Sequence, residues 1–243
     1  MNQLIHLEKR GRVTVGWAKG ANHRLYEDRY RILTKDVPVV GSSDRGEVFA
    51  VLDGMGGLSK GMQAAQEIAD CLISYFEDSE GLPDGPVGMG CLLDEVSEDL
   101  AHKNWNSAEE NDESTFRLAY GAAGTICLLN QGALHVFHAG DTEGWIHQNG
   151  KWSQLTLDEG DGQELANFFG LPFERGFEVK TDTRRVSEGD RVVLFSDGIP
   201  KGVTRDRALE ATLAVDLESS LAKLLSDCHP RSGDDLTLMV AKV

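Results

Sequence analysis

The sequence predicts an α+β fold: two mainly antiparallel β-sheets packed face to face with helix pairs outside, a four-layer α-β-β-α sandwich. Three observations predict it. Apolar runs of strand length follow one another with only short turns between them, which antiparallel neighbours allow and parallel ones, needing long crossovers, do not. Stripes of helical period come in clusters, where a doubly wound parallel sheet would need regular alternation. With 243 residues, 40% of them hydrophobic, the chain can bury a sizeable core, and one domain over residues 1–243 is expected.

Taken in order, Arg12 to Ala18 reads as a first strand and Tyr30 to Leu33 as a second. Val48 to Leu52 is an apolar run that ends at Asp53 and the glycines Gly54, Gly56 and Gly57, a buried strand followed by a sharp turn. Ala65, Ile68, Ala69, Leu72, Ile73 and Phe76 recur at helical spacing, with Ser59 as a cap at the start. After the break at Gly81 to Pro86, a second stripe runs through Met89, Leu92, Leu93, Val96 and Leu100. Two antiparallel helices on one sheet face fit this pattern. The acidic run Glu109 to Ser114 reads as a solvated loop.

Strand character returns at Thr125 to Leu129, turns at Gln131-Gly132, and continues through Ala133 to Ala139. Asn149-Gly150, between Trp145 to His147 and Lys151 to Leu155, is a strong hairpin signal. Residues 158–175 read as a short site-flanking flap with a helical piece around Glu164 to Phe169. Phe177 to Thr183 and Val192 to Phe195 are strands, Leu217 to Cys228 a helical stripe, and Leu236 to Val240 the last strand.

Charge and composition exclude several functions. Lys and Arg number 24 against 40 Asp and Glu, and the net charge of −16 argues against nucleic acid or anionic membrane as a partner. The first residues lack a signal-peptide hydrophobic region and no apolar run is long enough to span a membrane, so a cytoplasmic protein is expected. Cys71, Cys91, Cys127 and Cys228 are widely spaced, and no His pair stands beside a glutamate as in zincins. Core thiols are expected, and no zinc site.

Acidic residues recur where strands begin or end: Glu27 and Asp28, Asp53, Asp141, Asp197, Asp234 and Asp235. If those ends meet at one edge of a sheet core, the mutual repulsion of the carboxylates requires cations. Carboxylates with the carbonyl of Gly54, and neither Cys nor His, form an oxygen donor set suited to Mg²⁺ or Mn²⁺.

These fragments together resemble the metal-dependent protein phosphatase family, type 2C. Glu27-Asp28 is similar to its early Glu-Asp pair, Asp53-Gly54-Met55-Gly56-Gly57 to its Asp-Gly-x-Gly-Gly, and Gly124-Thr125 to its Gly-Thr strand. Ala139-Gly140-Asp141-Thr142, Ser196-Asp197-Gly198 and Asp234-Asp235-Leu236-Thr237 resemble its later motifs, in the usual order. The resemblance implies that Asp53 bridges two Mn²⁺ or Mg²⁺ ions, with Glu27 and the Gly54 carbonyl on one and Asp197 and Asp234 on the other. It implies a weaker third ion facing Asp141 with help from Asp197. The implied activity is hydrolysis of phosphoserine and phosphothreonine in a phosphoprotein by a metal-bridging water, opposing a cognate Ser/Thr kinase.

The sequence also departs from that family. Relatives carry an arginine four residues before the glutamate to hold phosphate; here His23 stands there and Arg24 follows, so Arg24 is the expected phosphate ligand, with a shifted loop. A surface arginine in an ion pair is the competing reading. Met55 replaces a proposed proton-donating histidine, leaving water or His23 to substitute, and Glu143 replaces a frequent arginine as a solvent-facing change. Asp28 and Asp235 are expected to orient a ligand or to serve in a cap or turn. The alternative function is a pseudophosphatase, a module that binds a phosphoprotein or kinase without turnover. A nucleotide-binding loop is disfavoured because Gly54 to Lys60 matches neither the dinucleotide nor the Walker pattern.

Overall fold

The computed structural model describes residues 5–55, 60–106, 119–157 and 165–243. One sheet has the order β1-β2-β11-β10-β7-β8, from β1 (His6–Arg10), β2 (Val13–Ala18), β7 (Glu143–Gln148), β8 (Lys151–Gln154), β10 (Arg191–Phe195) and β11 (Leu236–Lys242). The other runs β3-β4-β5-β6-β9, from β3 (Arg29–Leu33), β4 (Glu47–Gly54), β5 (Ala122–Asn130), β6 (Ala133–Ala139) and β9 (Lys180–Arg185). Every neighbouring pair is antiparallel. The helices are α1 (Pro38–Gly41), α2 (Gly61–Cys71), α3 (Ser74–Glu77), α4 (Pro86–Asn106), α5 (Gly198–Gly202), α6 (Arg205–Ala211) and α7 (Leu217–Ser232).

Strand alternation explains the layers. In β4, Phe49 and Val51 face the other sheet, where they pack with Val15, Val192, Leu194 and Met239. Their neighbours Val48, Ala50 and Leu52 face outward onto Ala65 and Ile68 of α2 and Leu93 and Leu100 of α4. In β10, Val193 and Phe195 likewise face outward onto Leu221 and Leu225 of α7. Both faces of β4 and β10 are covered, so Val48 to Leu52 and Val192 to Phe195 are apolar at every position. Burying each such side chain fully contributes roughly 1.5–3 kcal/mol.

The hairpin at Asn149-Gly150 is as expected: Gln148 pairs with Lys151, and both turn residues have positive φ, +52° and +75°, as a type I′ turn requires. Other expectations are corrected. The first strand is β1, which the sequence hides because its edge position leaves it largely exposed and polar. The stripe from Ala65 to Phe76 is two helices, since α2 ends at Cys71 and α3 begins at Ser74. Residues 165–169 form no helix; Phe169 instead bridges to Ala122, and the helical turn of that segment lies at Phe173–Arg175. The short helices α5 and α6 were not expected. Ser59, the acidic run at 109–114 and the start of the proposed flap lie outside the described residues.

Candidate metal centre

Strand register brings the acids together. Arg29 of β3 faces Leu52 of β4, so Glu27 and Asp28 arrive at the end where β4 closes on Asp53 and Gly54. Asp53 faces Ala123 and Gly124 faces Ala139, which carries Asp141, just beyond β6, to the same edge. In the other sheet Phe195 faces Leu238, so Asp197 leaves β10 where Asp234 leads into β11. Leu236 faces Ala18, and the loop after β2 brings His23 there as well. The result is a cavity of about 320 Å³ lined by His23, Asp53, Met55, Asp141, Asp197, Lys201 and Asp234. A larger cavity of about 920 Å³, among Arg12, Glu47, Leu129 and Lys242, contains none of these acids.

Two glycines fix the approach of the backbones. A Cβ on Gly54 would stand 2.8 Å from the Glu27 carbonyl oxygen and 2.7 Å from the Gly61 carbonyl carbon. One on Gly198 would stand 1.9 Å from the Asp235 carbonyl oxygen. Only glycine lets β4 close on the Glu27 segment and α5 press on the entry to β11. Asp197 begins α5 without a side-chain cap bond, which leaves its carboxylate to the cavity.

Two buried acids tie the loops. Asp235 Oδ1 accepts from the Gly20 N–H at 2.6 Å, and its Oδ2 accepts from the Glu27 N–H at 2.5 Å. Asp235 Oδ2 also lies 3.1 Å from His23 Nδ1, while His23 Nε2 lies 3.1 Å from Asp234 Oδ1. Asp28 Oδ2 accepts from Ser196 Oγ at 2.7 Å and Thr237 Oγ1 at 2.6 Å, linking the two sheets. Lys201 Nζ donates to Asp197 Oδ2 at 2.5 Å and Asp234 Oδ2 at 2.6 Å.

The charges are strained as expected. Burial raises the carboxyl pKa of Asp53 well above its ordinary value, with Asp28, Asp197, Asp141 and Asp234 adding repulsion. Burial likewise raises Asp28, Asp197 and Glu27. For His23, burial alone would lower the pKa, but Asp235, Asp234 and Glu27 outweigh it and the net shift is upward. Lys201 follows the same logic, its upward shift coming from Asp197 and Asp234.

Among the described residues, no three acidic, histidine or cysteine side chains converge closely enough to hold an ion as they stand. The donor set nevertheless fits a hard divalent cation: half-buried carboxylates from four strand ends surround a single cavity, and a cation there would relieve the repulsion that holds the Asp53 carboxyl above its ordinary range.

The protein phosphatase 2C profile matches residues 32–235. The chain belongs to the protein phosphatase 2C family. Glu27 and Asp28 precede the matched residues of this family member, so their place beside Asp53 comes from the β3–β4 register. Over 214 residues it is 26% identical to the serine/threonine protein phosphatase PstP of two Mycobacterium tuberculosis strains, covering 81% of this chain and 40% of theirs. The chain thus spans less than half the length of these curated relatives. Among solved structures it is similar to the catalytic domain of PstP in complex with two manganese ions, at TM-score 0.69, 22% identity and 98% coverage of both chains. It is also similar to PppA, described as a regulatory component of the type VI secretion system in Pseudomonas aeruginosa, at TM-score 0.73 and 19% identity, covering 96% of this chain and 97% of PppA.

Not every expected residue lies in the cavity. Arg24 is exposed and does not line it, whereas the preceding His23 does. Gly54 sits between two lining residues without lining it, and Glu27 reaches the site through His23, 3.7 Å away. Glu143 is no solvent-facing change: it is buried, accepting from Trp145 Nε1 at 2.8 Å and Arg205 Nε at 2.7 Å. Its place opposite Phe195 puts it inside the sheet, and the unexpected α6 supplies its arginine. Lys201 was missed outright. Its only sequence signal is the spacing of four residues from Asp197 at a helix start, which places both on one face.

Proposed function

We propose that this chain is a Mn²⁺- or Mg²⁺-dependent phosphatase that hydrolyses phosphoserine and phosphothreonine esters of phosphoproteins. The observation that carries this is the meeting of Asp53, Asp141, Asp197 and Asp234, from four strand ends in two sheets, at one cavity. Asp53, Glu27 and the Gly54 carbonyl would hold one ion and Asp53, Asp197 and Asp234 a second, with Asp141 and Asp197 facing a weaker third. When bound, the ions supply Lewis acidity that activates water and offsets charge on the phosphoryl oxygens.

The chain's own residues do the rest. Asp235 fixes the Glu27 backbone and the His23 ring, and His23 then faces the cavity as the side chain placed to pass a proton to the leaving oxygen in place of the absent Met55 counterpart. Arg24, exposed beside His23, is the proposed phosphate ligand through its own side chain, since a guanidinium matches two phosphate oxygens at once. Leu165 lines the cavity in the described part of the proposed flap, and Phe169, buried and bridged to Ala122, anchors that part to the single catalytic unit. No described helix is long and apolar enough to cross a membrane. The proposed enzyme works in the cytoplasm and opposes a Ser/Thr kinase, a reading that the family resemblance carries.

The test is phosphate release from p-nitrophenyl phosphate and from a phosphothreonine peptide with Mn²⁺, repeated with Asp53→Asn. Mn²⁺-dependent turnover lost in the variant is expected. The Lys201 bridge across Asp197 and Asp234 favours a second reading, a phosphoprotein-binding module without turnover. Peptide binding with no turnover at any Mn²⁺ concentration would establish it.

A further inference from the structure

Asp197 and Asp234 are the acids that the proposed function assigns to the second cation, and in the structure they already share one. Lys201 lies one helical turn beyond Asp197, so its stem returns to the face from which Asp197 projects. Its ammonium donates to one oxygen of each aspartate, at 2.5 and 2.6 Å, and so stands between the two carboxylates as a bridging ion would. The Lys201 side chain is 47% exposed and each aspartate 24%, so the ammonium enters from the solvent side on a four-carbon stem.

We propose that Lys201 is a tethered competitor for the second cation, holding Asp197 and Asp234 together until a divalent ion displaces it. The proposal rests on the two-cation reading. Displacement, not permanent substitution, follows from the chemistry of the pair. An ammonium carries one charge and offers only hydrogens, whereas a divalent ion carries two and takes oxygens directly. Partly exposed ion pairs are individually weak, and the lysine stem rotates freely once released. Neither Asp53 nor Glu27 bonds to Lys201 among the contacts the structure gives, so the first ion, assigned to Glu27, Asp53 and the Gly54 carbonyl, does not meet this competition. The two ions therefore bind with separated affinities, the second one weaker.

The experiment titrates Mn²⁺ calorimetrically into metal-free wild type, Lys201→Gln and Lys201→Arg, and records their melting in chelator. Wild type should take up one ion tightly and a second weakly. Lys201→Gln should bind the second about tenfold more tightly, with the first unchanged, because two weak ion pairs no longer have to be broken. In chelator it should melt below wild type, since Asp197 and Asp234 then repel. Lys201→Arg, which keeps the cation, should follow wild type in both measurements. If Lys201→Gln is unfolded in chelator, folding on addition of Mn²⁺ supports the proposal and failure to fold counts against it. Equal second-site affinity in all three proteins, or loss of the second ion in Lys201→Gln, overturns the proposal and leaves the two-cation reading standing. No uptake of any ion by wild type or variant overturns that reading itself.

Discussion

Thr237 Oγ1 donates a hydrogen bond to Asp28 Oδ2 at 2.6 Å, joining the residue before the first strand of one sheet to the last strand of the other. Ser196 Oγ donates to the same oxygen, so one buried carboxyl holds three chain segments at the edge where the acids gather. Asp28→Ala leaves two buried hydroxyls without this acceptor and should cost about 2 kcal/mol. Asp28→Asn keeps an acceptor oxygen without a charge and should unfold no earlier than wild type. Urea unfolding of both variants checks this, and equal losses would show that the carboxylate itself, and not merely an acceptor oxygen in that place, makes the tie.

Asp53 should trade stability for ion binding. Its burial among Asp28, Asp197, Asp141 and Asp234 disfavours its charged form, so Asp53→Asn should raise the melting temperature in chelator. The same variant should lose Mn²⁺ stabilisation and fall in activity by about a thousandfold or more. Differential scanning calorimetry with and without Mn²⁺ separates the two effects.

The pH dependence has a definite sign. Glu27, Asp28, Asp53 and Asp197 all have folded pKa values raised above their ordinary ones, Asp28 to about 7. Such an acid keeps its proton in the fold after the unfolded chain has released it, so its contribution is lost as pH rises through the folded value. His23, also raised, acts in the same direction, because the folded state holds its proton longer. In chelator, stability should therefore fall between about pH 5 and 8, and Mn²⁺ should flatten the slope. A rising slope in chelator, measured by thermal melts across that range, would contradict it.

Asp235 should matter to ion affinity without touching an ion. It accepts the backbone N–H groups of Gly20 and Glu27, so Asp235→Ala frees the loop that carries Glu27 and His23. Mn²⁺ affinity should drop about 10- to 100-fold, as for other groups that orient metal ligands. Calorimetry measures the loss, and crystallography of the variant would show whether the 20–27 loop has moved.

What the sequence determined by itself is the set of strands whose signal is local. Val48 to Leu52 and Val192 to Phe195 are apolar at every position because both their faces are covered, and an aspartate followed by glycine comes directly after the first run and one residue, Ser196, after the second. That pattern is readable without coordinates, and so are Asn149-Gly150 and the acids at the strand ends. Only the tertiary structure decided which groups meet those acids. Lys201 is an ordinary helical lysine until β10 and β11 pair and bring Asp234 to its ammonium. Glu143 is legible as buried only once α6 delivers Arg205, and Asp28 and Asp235 become ties only when residues about 170 to 215 positions away fold onto them. A strand or turn is specified by neighbours along the chain, whereas the partner of a charge is specified by the register of sheets that no short window of sequence contains.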